Sequence, residues 1–155
     1  MNGVPKDRID LRNVNESNIK YTIDSYALLK RLQFFDYQRV LILEDDIVFH
    51  RDLNFIAEVV NSTPDDFDVM NYDPVMFNGR FRRRRKPMVV DVSPHIQRYA
   101  NVMVVNTSCF ALSKRAIGHI VDKQESMLKP FDHYTWLDTE GLNTYCVSKG
   151  DNICI

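Results

Sequence analysis

The feature that most constrains this chain is a short apolar run that breaks into acids: Arg39-Val40-Leu41-Ile42-Leu43, then Glu44-Asp45-Asp46. A continuous run of this length, rich in β-branched residues, reads as a strand covered on both faces. That is the pattern of a parallel or mixed sheet flanked by helices. A second apolar stretch, Ile47-Val48-Phe49, follows at once. Carboxylates held between two apolar runs are costly unless they face a cleft or a cation. Open α/β sheets bind ligands at the carboxyl ends of their strands, which is where this triplet falls. Side chains alternate along extended backbone, so Glu44 and Asp46 are expected to share a face. Two carboxylates there suit Mn²⁺ or Mg²⁺, hard cations that take oxygen ligands and share coordination with a diphosphate. A bare triplet of acids is more often a solvated turn; the flanking apolar runs make this one a candidate site.

The rest of the chain alternates helical and strand-like patterns, so the expected fold class is α/β. Leu28, Leu29, Leu32 and Phe35 recur at helical spacing and predict a helix from about Thr22 to Asp36, with Thr22 or Asp24 as its cap. Leu53 to Val60 predicts a second helix, capped by Asp52. After a break at Pro64-Asp65-Asp66, Phe67 to Tyr72 reads as a strand. Residues 73–87 read as a long surface loop carrying Arg82-Arg83-Arg84-Arg85-Lys86. Met88 to Val92, Val102 to Val105 and Cys109 to Leu112 are strand candidates. Ser113 caps a helix from Lys114 to about Glu125, and Thr144 to Val147 reads as a last strand. Residues 1–20 are a polar lead-in to a single domain spanning residues 1–155.

Composition removes several function classes. The net charge is −1 over 155 residues, which gives no electrostatic case for nucleic acid as a partner. No apolar run approaches the ~20 residues of a membrane span, and the N-terminus has no apolar signal core. The expectation is a cytoplasmic chain, free or peripheral to a membrane, with no transmembrane segment. The three cysteines, Cys109, Cys146 and Cys154, are too few and scattered for a disulfide framework, and none sits in a CxxC pair. The sequons at Asn15, Asn61 and Asn106 matter only in a secretory pathway.

The stretch Val40-Leu41-Ile42-Leu43-Glu44-Asp45-Asp46-Ile47-Val48-Phe49 closely resembles the signature of glycosyltransferase family 25, which includes lipopolysaccharide glycosyltransferases and collagen galactosyltransferases. Two further stretches resemble the family in order and spacing. Cys109 to Ala116 is similar to its aromatic-containing strand ending in a serine-capped helix. Pro130-Phe131-Asp132-His133-Tyr134 is similar to its downstream P-x-D-x-x element. The resemblance runs from about residue 36 onward. It departs from the family at Tyr21 to Tyr26, where only Ser25 stands in a comparable place, and at Asn106-Thr107-Ser108, which replaces a glycine-rich approach.

The resemblance implies a GT-A fold and a nucleotide-sugar donor, with a UDP-sugar and galactose as the leading case. The acceptor would be a hydroxyl of a saccharide or lipid-linked saccharide. It also implies that Glu44 and Asp46 hold Mn²⁺ or Mg²⁺ with the donor diphosphate; the two-residue period of extended backbone is then expected to turn Asp45 elsewhere, to the nucleotide ribose or a backbone amide. An inverting transfer needs a base for the acceptor hydroxyl, and Asp132 is the candidate. His133 is a candidate third metal ligand, or it orients Asp132. The blander reading of this pair is a capping Asp with a surface His. Arg82 to Lys86 reads first as a solvated loop and second as a phosphate-binding stretch. Tyr134 and Trp136 suit sugar stacking or the core equally. His50, His95 and His119 have no partner at metal-ligand spacing and receive no role. Two other readings stay open: a truncated or degenerate domain without activity, and a metal-dependent phosphohydrolase. The second is weakened by the lack of a nucleophilic Asp in a D-x-D-x-T setting.

One expectation concerns completeness. A segment like Gly3 to Ile9 follows the first helix in the family, yet here it opens the chain. No apolar strand of four or more residues precedes Val40. The chain is therefore expected to lack the first β–α unit, which would leave one sheet edge unpaired and favour homodimerisation.

Overall fold

The computed structural model describes residues 16–49, 52–77, 88–100, 103–105, 108–126 and 141–154. In chain order the elements are α1 (Glu16–Leu32), β1 (Arg39–Leu43), α2 (Leu53–Asn61), β2 (Val69–Asn71), β3 (Val75–Phe77), β4 (Met88–Asp91), β5 (Ile96–Ala100), β6 (Met103–Val105), β7 (Cys109–Ser113), α3 (Lys114–Ser126) and β8 (Thr144–Val147). Six strands form one mixed sheet in the order β1-β7-β2-β8-β5-β4, and β3 pairs with β6 apart from it. Within the large sheet only β2 and β8 are parallel; each other adjacent pair is antiparallel. Hence β1, β2, β4 and β8 run the same way, and their carboxyl ends share one rim.

Strand alternation divides the core into two layers. On one face Val69, Phe110, Leu112 and Cys146 pack with Leu29 of α1 and with Ala116, Ile117, Ile120 and Val121 of α3. On the other, Met70, Cys109, Ala111, Tyr145 and Val147 pack with Val59 of α2 and with Ile153 and Cys154 of the tail. The result is a mixed α/β fold with helices on both faces, the class the alternating pattern predicts.

The strands buried at successive positions are β7, β2 and β8. Cys109 through Leu112 are all buried, whereas β1 alternates between exposed and half-buried positions. Among the described residues β1 pairs with β7 alone, at the edge of the sheet. Val40 and Ile42 face the core, but Leu41 and Leu43 remain 53% and 43% exposed. The expectation of a strand covered on both faces is thus corrected. A continuous apolar run marks a strand able to be buried on both sides, and α2 does not reach over this one.

The caps read from sequence hold where their chemistry is local. The Asp52 carboxylate accepts from the backbone N–H groups of Asn54 and Phe55, satisfying donors that the first turn of α2 leaves open. The Ser113 hydroxyl accepts from Ala116 N at 3.0 Å and donates to Asp68 at 2.8 Å. Asp68 also accepts from Asn143 N at 2.8 Å and meets Arg115 at 3.0 Å, tying β2, β7, α3 and the approach to β8 together.

Other expectations need correction. α1 begins at Glu16, so Thr22 and Asp24 lie inside it and cap nothing. Its buried stripe is narrower than the spacing suggests: Leu29 is buried, while Leu28 and Phe35 are 46% and 52% exposed. Val75–Phe77, expected in a loop, forms β3; three residues are too few to show a period. β5 escaped the pattern because Gln97 and Arg98 interrupt its apolar positions. Among the described residues no helix is long and apolar enough to cross a membrane. Residues 1–15, His50, Arg82 to Lys86 and Pro130 to Trp136 lie outside the described residues, and with them Asp132 and His133.

Candidate functional site at the strand-end rim

β1 ends at Leu43, and Asp45 and Asp46 form a turn immediately beyond it. Strand alternation therefore does not extend across the triplet and gives no reason for Glu44 and Asp46 to share a face, as the sequence reading expects. Instead Glu44 is anchored twice. Its backbone N–H donates to the carbonyl of Ser108 at 2.9 Å, and its carboxylate accepts from the Tyr21 hydroxyl at 3.0 Å. Asp45 and Asp46 are both exposed.

A cleft of about 310 Å³ opens between α1 and the end of β1. Leu28, Leu29, Ile42 and Leu43 form its apolar wall, and Tyr21, Ser25, Glu44 and Asp45 supply the polar groups. Such a mixture of apolar walls and a few convergent polar groups suits a small-molecule site. Asp46 lies outside this lining. The donors of the turn are all carboxylate oxygens, which is the chemistry a hard divalent cation takes. Among the described residues no three His, Cys, Asp or Glu side chains are grouped to hold a metal ion.

The same rim carries a second acid that the sequence reading passed over. Asp73 follows β2 and is only 6% exposed. Its carboxylate accepts from the Ser108 hydroxyl at 2.7 Å and from the Asn152 side-chain amide. Its own N–H donates to the side chain of fully buried Asn71 at 2.8 Å. Ser108 thus joins the two acidic positions, its carbonyl to Glu44 and its hydroxyl to Asp73. The rule that placed a candidate site after β1 also applies to β2, so Asp73 was findable; its partners Ser108 and Asn152 were not.

Farther along the rim, the ring of His95 lies between two carboxylates. Nδ1 meets Asp151 and Nε2 meets Glu58, each at 3.2 Å. Hydrogen bonds to Asp151 first and Glu58 second raise the imidazole pKa above its ordinary value, against a smaller opposing effect of burial. Phe55 packs edge-on against the ring, with centroids 5.5 Å apart. A tight turn brings Asp151 there. Its N–H donates to Ser148 O at 2.9 Å, and Gly150 supplies the left-handed backbone, at φ 94°. The sequence reading gave His95 no role, since its partners lie 37 and 56 residues away.

The structure therefore brings together Glu44, Asp45 and Asp46 with Tyr21, Ser108 and Asp73 along one rim of the sheet. In comparisons with known proteins, no family model and no curated protein matches this chain.

Proposed function

We propose that this chain forms the cation-binding and acceptor-side part of a GT-A-type glycosyltransferase of the family 25 kind. It would move a sugar from a nucleotide-sugar donor, a UDP-sugar in the leading case, to a hydroxyl of a saccharide or lipid-linked saccharide. One observation carries this reading: the acidic turn leaves β1 at the carboxyl-end rim and opens onto a cleft with an aromatic hydroxyl and two carboxylates in its lining. Strand ends of mixed α/β sheets are where such ligands bind.

In this reading Glu44 and Asp46 would hold Mn²⁺ or Mg²⁺, which when bound offsets the charge growing on a departing diphosphate, and Asp45 would face the nucleotide. Tyr21, whose hydroxyl donates to the Glu44 carboxylate, would position that ligand at the cleft. Asp132 is the proposed base that takes the acceptor proton, and His133 its proposed neighbour or a further metal ligand. Calorimetric titration with Mn²⁺ and UDP tests the reading. Wild type should bind the pair, and Asp46→Asn should bind at least tenfold more weakly. Equal binding by wild type and Asp46→Asn would remove the acidic turn from the function.

A second reading, a GT-A-like domain without activity, is favoured by one contact. The Glu44 carboxylate is engaged by Tyr21, which makes it a structural anchor as much as a ligand. Donor hydrolysis dependent on Mn²⁺ separates the two: its presence supports the enzyme.

A further inference from the structure

Both ring nitrogens of His95 meet carboxylates, and the two acids come from different parts of the chain. Nδ1 lies 3.2 Å from Asp151 in the turn after β8, and Nε2 lies 3.2 Å from Glu58 on α2. His95 itself stands one residue before β5. Among the described residues these two acids are the charged groups that meet the ring, and Phe55 of α2 packs edge-on against it. One imidazole therefore joins a covering helix to two parts of the sheet.

An imidazole serves two acceptors only when it is protonated. The imidazolium has two N–H donors, whereas the neutral ring has one donor and one lone pair. A lone pair turned toward a carboxylate oxygen repels it. Loss of one proton to solvent therefore breaks one of the two contacts, and the surroundings decide which. The Asp151 side chain is 26% exposed and stands in a turn closed by its own N–H to Ser148 O at 2.9 Å. Ser148 N donates in turn to the carbonyl of His95 at 2.7 Å, so the backbone holds Asp151 beside the ring. The Glu58 side chain is 64% exposed and reaches water by rotating about its own bonds.

We propose that His95 is a pH-operated latch on α2: the protonated ring ties Glu58 to Asp151, and the neutral ring keeps Asp151 through Nδ1–H and lets Glu58 go. The two carboxylates hold the proton on the ring beyond its ordinary pKa of 6.5. The latch is thus closed below that value and opens as pH rises through the higher folded one. What it holds is the part of α2 whose Ile56 and Val60 line a cavity of about 550 Å³ with Leu41, Phe49 and Phe67. Opening takes a charged tie away from that wall and leaves its apolar packing around Val59 in place. The latch works whether or not the strand-end rim carries transferase activity.

The test is NMR on the native 155-residue chain from pH 5 to 9. Nitrogen-15 shifts of the His95 ring should show both nitrogens protonated at the acid end and the Nδ1–H tautomer at the alkaline end. A free histidine side chain prefers Nε2–H, so this outcome identifies Asp151 as the partner that is kept. Amide hydrogen exchange of Ala57 to Asn61, corrected for intrinsic rates, is then compared between wild type and Glu58→Ala. The protection of wild type relative to the variant should fall roughly two- to fivefold between the two ends of the range. An Nε2–H tautomer at pH 9 would mean that the ring keeps Glu58 instead. A wild-type-to-variant ratio that is constant across pH would mean that α2 is not held through His95. Either result overturns the latch.

Discussion

Ser108 donates its hydroxyl to the buried carboxylate of Asp73 at 2.7 Å, and the same residue's carbonyl receives the N–H of Glu44 at 2.9 Å. The acidic turn after β1 and the acid after β2 are thus parts of one hydrogen-bonded unit. Removing the hydroxyl leaves a buried carboxylate short of a donor. Ser108→Ala should lower stability by about 1–3 kcal/mol, read from urea unfolding. A change near zero would mean that Asp73 is satisfied without Ser108.

β7 and β1 have nearly the same apolar character but different cover. Phe110 is fully buried between two neighbouring strands, and Leu41 is half exposed on the edge. Phe110→Ala should therefore cost about 3–5 kcal/mol, whereas Leu41→Ala should cost roughly 1 kcal/mol or less. Comparable losses at the two sites would contradict the edge position of β1.

His95 makes stability depend on pH. Its pKa is raised by Asp151 and Glu58, so folding favours the protonated ring. The contribution is fully present below the ordinary value of 6.5 and is lost as pH rises through the higher folded value. Melting temperature followed from pH 5 to 9 should fall across that window in wild type, and His95→Gln should flatten the fall. A variant with an unchanged profile would assign the pH dependence to other groups.

The cap of α2 offers a local test. Asp52→Ala removes the acceptor of two backbone N–H groups and should cost about 1 kcal/mol, with Asp52→Asn recovering most of it. Chemical unfolding of the three chains checks this. Equal loss in both variants would point to charge rather than hydrogen bonding.

What could be read from sequence was what depends on near neighbours. Asp52 and Ser113 were identifiable as caps because each meets a donor within three residues. The strand ending in Glu44-Asp45-Asp46 was visible in its composition, yet its place at the edge was not. That place depends on which strands flank it, which its own residues do not encode. The rim's other contacts close over long separations: 35 residues from Ser108 to Asp73, 79 from Asn152 to Asp73, and 56 from His95 to Asp151. Each partner has an ordinary local context, so only the assembled sheet shows the pair.

The parallel pairing of β2 with β8 carries a consequence for the order of folding. The residues just before these strands, Asp68 and Asn143, are joined by a hydrogen bond although 75 positions separate them. β8 fills the slot between β2 and β5, so those two cannot be joined into one sheet before it arrives. A chain emerging from the ribosome can assemble the α1–β1 and β4–β5 segments early, but the central seam closes last. Contacts of such long range fold slowly and leave strand edges exposed in the interval. During synthesis the hazard therefore lies at the facing edges of β2 and β5, which become interior edges of the sheet only when β8 fills the slot between them.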